Sequence, residues 1–198
     1  MARTRMAWIV RTTCAVVLLV LFVACGGDDG GGSGAGGAPE DEVHALGEGV
    51  AVGWNERDAV GARGVDTTLE VTVLDVREGT HDELTDAGFE VDEEDRDTTP
   101  YYVDARYENT GDGTITRNLD VSLEDSDGNL IGSTLIFDYG NKGFPPCENV
   151  TDGKLKPGQT YESCTLFLVP EGIELGQVSF LSDEGADVPP EFVYWDVE

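Results

Sequence analysis

Between Tyr101 and Glu108 the chain alternates. Tyr101, Val103, Ala105 and Tyr107 are apolar or aromatic, and Asp104, Arg106 and Glu108 between them are charged. A period of two marks a strand with one buried face. It places Tyr102 on the polar face, as an exposed aromatic. Leu69, Val71 and Val73 alternate with Glu70 and Thr72 in the same way. The apolar phase then shifts to Leu74 and Val76, which predicts a bulge or the exit of the strand. Within Thr160–Val169, Cys164, Leu166 and Leu168 share a face, which turns Cys164 inward. Turn residues separate these runs: Asn109-Thr110-Gly111-Asp112-Gly113, Asp125-Ser126-Asp127-Gly128-Asn129, Lys156-Pro157-Gly158-Gln159 and Val169-Pro170-Glu171-Gly172. The second of them joins Leu119–Glu124 to Leu130–Phe137 as a hairpin. Val50–Trp54 begins the fold, and Gln177–Leu181 and Phe192–Val197 close it. The pattern contains no amphipathic helix of useful length and no internal repeat. Seven to eight short strands with frequent turns predict an all-β, antiparallel β-sandwich.

Residues 1–24 follow a different rule. Met1 to Arg11 carries Arg3, Arg5 and Arg11 and no acid, and Thr12 to Ala24 is almost wholly apolar. A basic start, a short apolar run and a small residue form an export signal. The run falls short of the ~20 apolar residues that span a bilayer, and Arg11 blocks its extension through Trp8-Ile9-Val10. Val23-Ala24-Cys25 resembles the end of a prokaryotic lipobox, with Phe22 where Leu is usual. The resemblance implies cleavage before Cys25 and a lipid on its thiol, making 1–24 a lipoprotein signal peptide. An ordinary signal with an incidental cysteine, or an uncleaved anchor, is the plainer alternative. Gly26 to Gly37 has no large apolar side chain and reads as a flexible tether with a reach of roughly 20 Å. Residues 25–42 are then the lipidated cysteine and linker, and 43–198 the folded domain.

Charge narrows the partners. The chain has 40 Asp and Glu against 12 Lys and Arg, a formal net charge of −28, and its lysines are Lys142, Lys154 and Lys156. Nucleic acid is rejected, because phosphate backbones require a basic surface. Docking flat on anionic lipid is disfavoured for the same reason. Such acidity also keeps proteins hydrated in concentrated salt and is common among secreted proteins of high-GC bacteria, so it speaks of solubility before activity. Of the four cysteines, Cys14 lies in the signal and Cys25 takes the lipid. Cys147 and Cys164 remain as an even pair in an oxidising compartment, and a disulfide between them is expected. It would add about 3 kcal/mol on the chain-entropy view. A two-cysteine metal site is the alternative, but His44 and His81 supply no ligand spacing.

The order of the turn motifs brings out a further resemblance. Tyr102-Val103-Asp104-Ala105-Arg106-Tyr107-Glu108-Asn109-Thr110-Gly111 is an alternating strand ending in Asn-x-Gly. Asp125-Ser126-Asp127-Gly128 follows as an Asp-x-x-Gly hairpin, then Leu155-Lys156-Pro157-Gly158-Gln159 before a strand that ends in Val169-Pro170. From Tyr101 to Leu181 the chain resembles a widespread uncharacterised domain of exported prokaryotic lipoproteins. Upstream, Leu46-Gly47-Glu48 and Leu69–Val76 are similar to that family's first two strands. The resemblance implies an immunoglobulin-like sandwich and no established activity. The acidic stretch Thr80–Thr99 departs from it, where the family has a shorter connection.

Candidate chemistry is sparse. A serine nucleophile needs a positioned histidine, and His44 and His81 fall ahead of the first strand and inside the acidic stretch. There is no Gly-x-Ser-x-Gly, His-Glu-x-x-His or phosphate-binding glycine loop. With so many acids, paired carboxylates for glycoside hydrolysis are expected by chance. Asp125, Asp127 and Asn129 offer closely spaced oxygen ligands, somewhat like the start of a calcium loop. A hydrated hairpin explains the same residues. Asp92-Glu93-Glu94-Asp95 is another cation sink or a solvated loop. The expectation is a non-enzymatic module, held by lipid on the extracytoplasmic face of the cell membrane, binding an unknown extracellular protein or envelope component. The alternative is a calcium or small-ligand binding protein of the envelope; otherwise no cofactor is expected.

Overall fold

The computed structural model describes residues 42–56, 65–116, 118–134, 144–147, 153–183 and 190–197. The expected signal peptide, Cys25 and the expected linker up to residue 41 lie outside the described residues. These described residues form ten strands: β1 Val43–His44, β2 Gly49–Glu56, β3 Val65–Glu78, β4 Thr98–Asn109, β5 Ser122–Asp125, β6 Leu130–Ile131, β7 Ser133–Thr134, β8 Thr160–Pro170, β9 Leu175–Leu181 and β10 Phe192–Asp196. Seven of them are four residues or longer, matching the count expected from periodicity. The other three are two-residue pairings, too short to carry any period.

The strands assemble as two five-stranded sheets, β1-β10-β9-β5-β6 and β2-β3-β4-β8-β7. All pairings are antiparallel except β1 with β10. Taking β3, β4, β5, β7, β8, β9 and β10 as strands A to G, one sheet reads A-B-E-D and the other G-F-C. That is the immunoglobulin Greek key, with β6 as an extra strand beside C, β2 outside A and β1 beside G.

Strand parity sets the core between the sheets. Leu69, Val71, Val73, Val103, Ala105, Tyr107, Phe167 and Val169 from one sheet meet Leu123, Val178, Phe180 and Trp195 from the other. Tyr107 packs its ring 5.0 Å from Tyr161 and 6.0 Å from Phe180. Trp195 is fully buried and donates its indole N–H to the Glu48 carbonyl at 3.0 Å. Each such side chain contributes about 1.5–3 kcal/mol by leaving water. The register of β3 on β4 slips between Val73 and Asp75, the bulge that the phase change at Leu74 predicts.

A second apolar cluster lies outside the sandwich, against the outer face of the β3-β4-β8 sheet. It contains Leu84, Tyr102, Phe144, Cys147, Cys164 and Leu166, with Phe89, Val91 and Leu168 at its margin. This corrects three expectations. Cys164 is buried, but it faces away from the main core; Phe167 and Val169, of opposite parity, fill that. Tyr102 is fully buried, not exposed. And part of the acidic stretch is a helix, α1 His81–Asp86.

The helix has local causes. Thr80 accepts from the Glu83 amide at 3.2 Å, and Glu83 accepts from the Thr80 amide at 2.9 Å, a reciprocal capping box. At the other end Gly88 takes φ 90°. Its amide reaches the Thr85 carbonyl, and the Phe89 amide reaches that of Leu84 at 2.8 Å. This is a Schellman ending, with Phe89 and Leu84 in the same cluster. Six residues do not hold a helix in water. Leu84, fully buried on Tyr102 and the cysteines, supplies what is missing.

Candidate functional site

Three places carry the side chains with chemical potential: the acidic hairpin turn, the covered patch around the disulfide, and the Asn-x-Gly turn.

The turn between β5 and β6 holds Asp125, Asp127 and Asn129. Asp125 Oδ1 accepts from the Asp127 amide at 3.0 Å and the Asn129 amide at 2.7 Å. The Asn129 side-chain amide donates to Oδ1 at 3.1 Å and Oδ2 at 2.9 Å. These donors, led by Asn129, hold the Asp125 carboxyl below its ordinary pKa. Both oxygens are therefore engaged by the turn itself. Among the described residues, no three His, Cys, Asp or Glu side chains group closely enough to hold a metal ion.

The covered patch is organised by the disulfide. Cys147 and Cys164 are bonded, with Cα atoms 5.1 Å apart. Cys164 stands opposite Asp104, and Leu166 opposite Tyr102, on β4. Arg77 lies over the Tyr102 ring at 4.1 Å, sits 3.6 Å from Asp104 Oδ2, and donates to the Pro146 carbonyl. One guanidinium thus ties β3, β4 and the Phe144–Cys147 segment together. Burial raises the Asp104 pKa; Asp75 and Glu162 add to the rise, and Arg77 opposes it. Burial also raises Tyr102, with Glu83 adding. The Tyr102 hydroxyl has no hydrogen-bond partner among the described residues. Leu84, Phe144 and Cys147 are buried in covering Tyr102, Cys164 and Leu166 of the sheet.

Asn109 is fully buried. Its amide donates to the carbonyls of Gly113 at 2.6 Å and Leu155 at 2.9 Å, and its oxygen accepts from Thr67 Oγ1 at 3.0 Å and the Gly111 amide at 3.2 Å. A Cβ on Gly111 would stand 2.3 Å from Thr67 Oγ1 and 2.4 Å from the Thr68 amide nitrogen. The Asn-x-Gly signature is thus a structural hub: a polar pin between strands, with a glycine where two backbones touch.

The histidines are separate. His44 Nδ1 lies 3.2 Å from Glu48 Oε1, with its ring against Trp195, and His81 Nε2 lies 3.5 Å from Thr98 Oγ1. Sequence reasoning missed the covered patch. The signal for it was Thr80-x-x-Glu83 ahead of Leu84, with Phe89 and Val91 embedded among acids.

No protein-family model matches this chain, and no curated protein matches it. Among solved structures it is similar to a secreted protein of Mycobacterium tuberculosis, MPT63, at 14% identity and a TM-score of 0.48, over 80% of this chain and 99% of that one. The immunoglobulin-like assignment rests on this chain's own strand order.

Proposed function

We propose that the protein is a lipid-anchored, non-enzymatic binding module of the extracytoplasmic membrane face, tethered through Cys25 and a glycine-rich linker. The observation that carries this reading is the buried Cys147–Cys164 disulfide in a chain whose start resembles a lipoprotein signal. Structural disulfides persist in oxidising compartments, so the crosslink supports export independently of the signal. A two-sheet scaffold whose polar pins serve its own turns supports binding over catalysis. The test is fractionation of a bacterial host expressing the full chain. Wild type pellets with membranes, and Cys25→Ser moves to the soluble exported fraction. Pelleting unchanged in Cys25→Ser removes the anchor from the account.

The competing proposal is calcium at Asp125, Asp127 and Asn129. It is supported by the ionised, half-buried carboxylate of Asp125, and it requires the Asn129 amide to release that carboxylate. Melting with millimolar calcium or with chelator, in low and high sodium chloride, separates the two. A rise with calcium that survives high salt and is lost in Asp125→Ala with Asp127→Ala establishes the site. A rise with bulk salt alone assigns the acids to a hydrated surface.

A further inference from the structure

The two outer faces of the sandwich are treated differently. α1 and the Phe144–Cys147 segment cover the outside of β3-β4-β8. On the other sheet, Val178, Phe180 and Trp195 point into the core, so their neighbours along β9 and β10 point out. Leu181 stands opposite Phe192, and Val43 opposite Tyr194. Val43 is 51% exposed, Leu181 44% and Phe192 43%. The rings of Phe192 and Tyr194 stack at 6.0 Å and 23°. Three large apolar side chains and a stacked ring therefore form one exposed corner, of the kind that marks interaction sites.

Among the described residues of these strands and their flanks, charge at the corner is acidic. The five strands of this sheet contain no Lys or Arg. Their acids are Glu124, Asp125 and Asp196, and exposed Glu42 and Glu191 directly precede Val43 and Phe192 in the chain. Glu124 is only 6% exposed and is held by neutral donors, Ser179 Oγ at 2.6 Å and Gln177 Nε2 at 3.0 Å. Among the described residues, no Lys or Arg pairs with it. His44, on β1, turns inward against Trp195. A second copy of this chain would bring the same acidic rim against itself, and anionic lipid would meet the same repulsion.

We propose that the outer face of β1-β10-β9 docks a cationic protein segment, with an apolar side chain at Val43, Leu181 and Phe192 and Lys or Arg side chains at the Glu42 and Glu191 rim. The inference rests on the binding-module reading and names the chemistry of its partner. Acidic steering at this net charge makes association fast at low salt and weaker as salt rises.

The test uses the full chain in zwitterionic-lipid nanodiscs, with empty nanodiscs as blank. The probe is a fluorescein-labelled nonapeptide of alternating Lys and Leu, with a Lys/Ser peptide of equal charge beside it, read by anisotropy. Wild type binds the Lys/Leu peptide at least about 10-fold tighter than the Lys/Ser peptide and than the Leu181→Ser, Phe192→Ser double variant does. Leu130→Ser, a 64% exposed site at the far corner of the same sheet, leaves binding unchanged. If the double variant does not fold, Phe192→Ser alone carries the comparison. Equal binding by wild type and variant means general adhesion to an acidic surface, and overturns the proposal. So does concentration-dependent dimerisation that the variant abolishes, which makes a second copy the occupant. Absence of peptide binding in a chain that still pellets through Cys25 overturns this inference alone; loss of pelleting overturns the anchor instead.

Discussion

Replacing both Cys147 and Cys164 with serine tests where the disulfide sits. The two cysteines are 17 residues apart, and opening a loop of that size costs about 3 kcal/mol at 25 °C through unfolded-chain entropy. For a domain of about 160 residues, each kcal/mol moves Tm by about 2–4 °C, so the double variant melts about 6–12 °C lower. The location of the loss matters as much as its size. The bridge belongs to the outer cluster with Leu84, Tyr102, Phe144 and Leu166, not to the core between the sheets. Hydrogen exchange followed by mass spectrometry therefore loses protection first in His81–Asp86 and Phe144–Cys147. Leu69–Val73, Val178–Phe180 and Trp195 keep theirs, because opening is local where the covering layer is thin. Had Cys164 faced the main core, as its strand parity predicts, serine there would loosen β8, β9 and β10 together. An unchanged Tm, or protection lost equally in β9 and β10, refutes the reasoning.

Three further outcomes follow from single side chains. Tyr102→Phe leaves Tm unchanged or higher, because it removes a buried hydroxyl without a described partner, whereas Tyr102→Ala costs about 3–5 kcal/mol through the cavity it opens; equal losses in both melts contradict the burial. Asn109→Ala costs about 1–3 kcal/mol or more in chemical denaturation, since it takes the Asn109 donor from the buried Gly113 carbonyl and the acceptor from Thr67 Oγ1, while the Leu155 carbonyl keeps the Ile115 amide; a loss within error contradicts the hub. The Asp104 pKa is raised by burial, so the folded state holds its proton more tightly than the unfolded chain and ionisation weakens the fold. Asp104→Asn then melts higher than wild type at neutral pH, and the gain disappears as pH falls through the folded pKa; a gain that persists in acid contradicts this.

The sandwich is largely legible in the sequence because its main strands are amphipathic. The parity of Tyr101–Tyr107 and the phase change at Leu74 both reappear in the registers. The Asp125–Asn129 turn joins β5 to β6 as expected. What parity does not reveal is what covers the polar face. Tyr102, Cys164 and Leu166 share that face with Asp104 and Arg106, and their cover comes from a segment dominated by acids. There the capping box at Thr80 and the isolated Leu84 and Phe89 outweigh composition, because burying a few apolar side chains suffices for one helical turn. The two-residue β1 escapes periodicity by its length, and the stretch Leu130–Phe137, read as one strand, divides in its described part into β6 on one sheet and β7 on the other. The pairing of β4 with β8 and of β5 with β9 joins residues far apart in the chain, and local pattern carries no such information. Of the candidate site residues, the cysteine pair was readable from compartment logic. The role of Asp125 as acceptor for its own turn is as readable as a calcium loop, since both use the same residues.

The most direct test of the central claim, an exported and lipid-held immunoglobulin-like module, is the intact mass of the chain recovered from a bacterial membrane fraction. The account predicts a chain that begins at Cys25, carries acyl chains on that residue, and is lighter by two hydrogens for the closed Cys147–Cys164 bond. A mass corresponding to an unmodified Cys25, or to free thiols at Cys147 and Cys164, contradicts it.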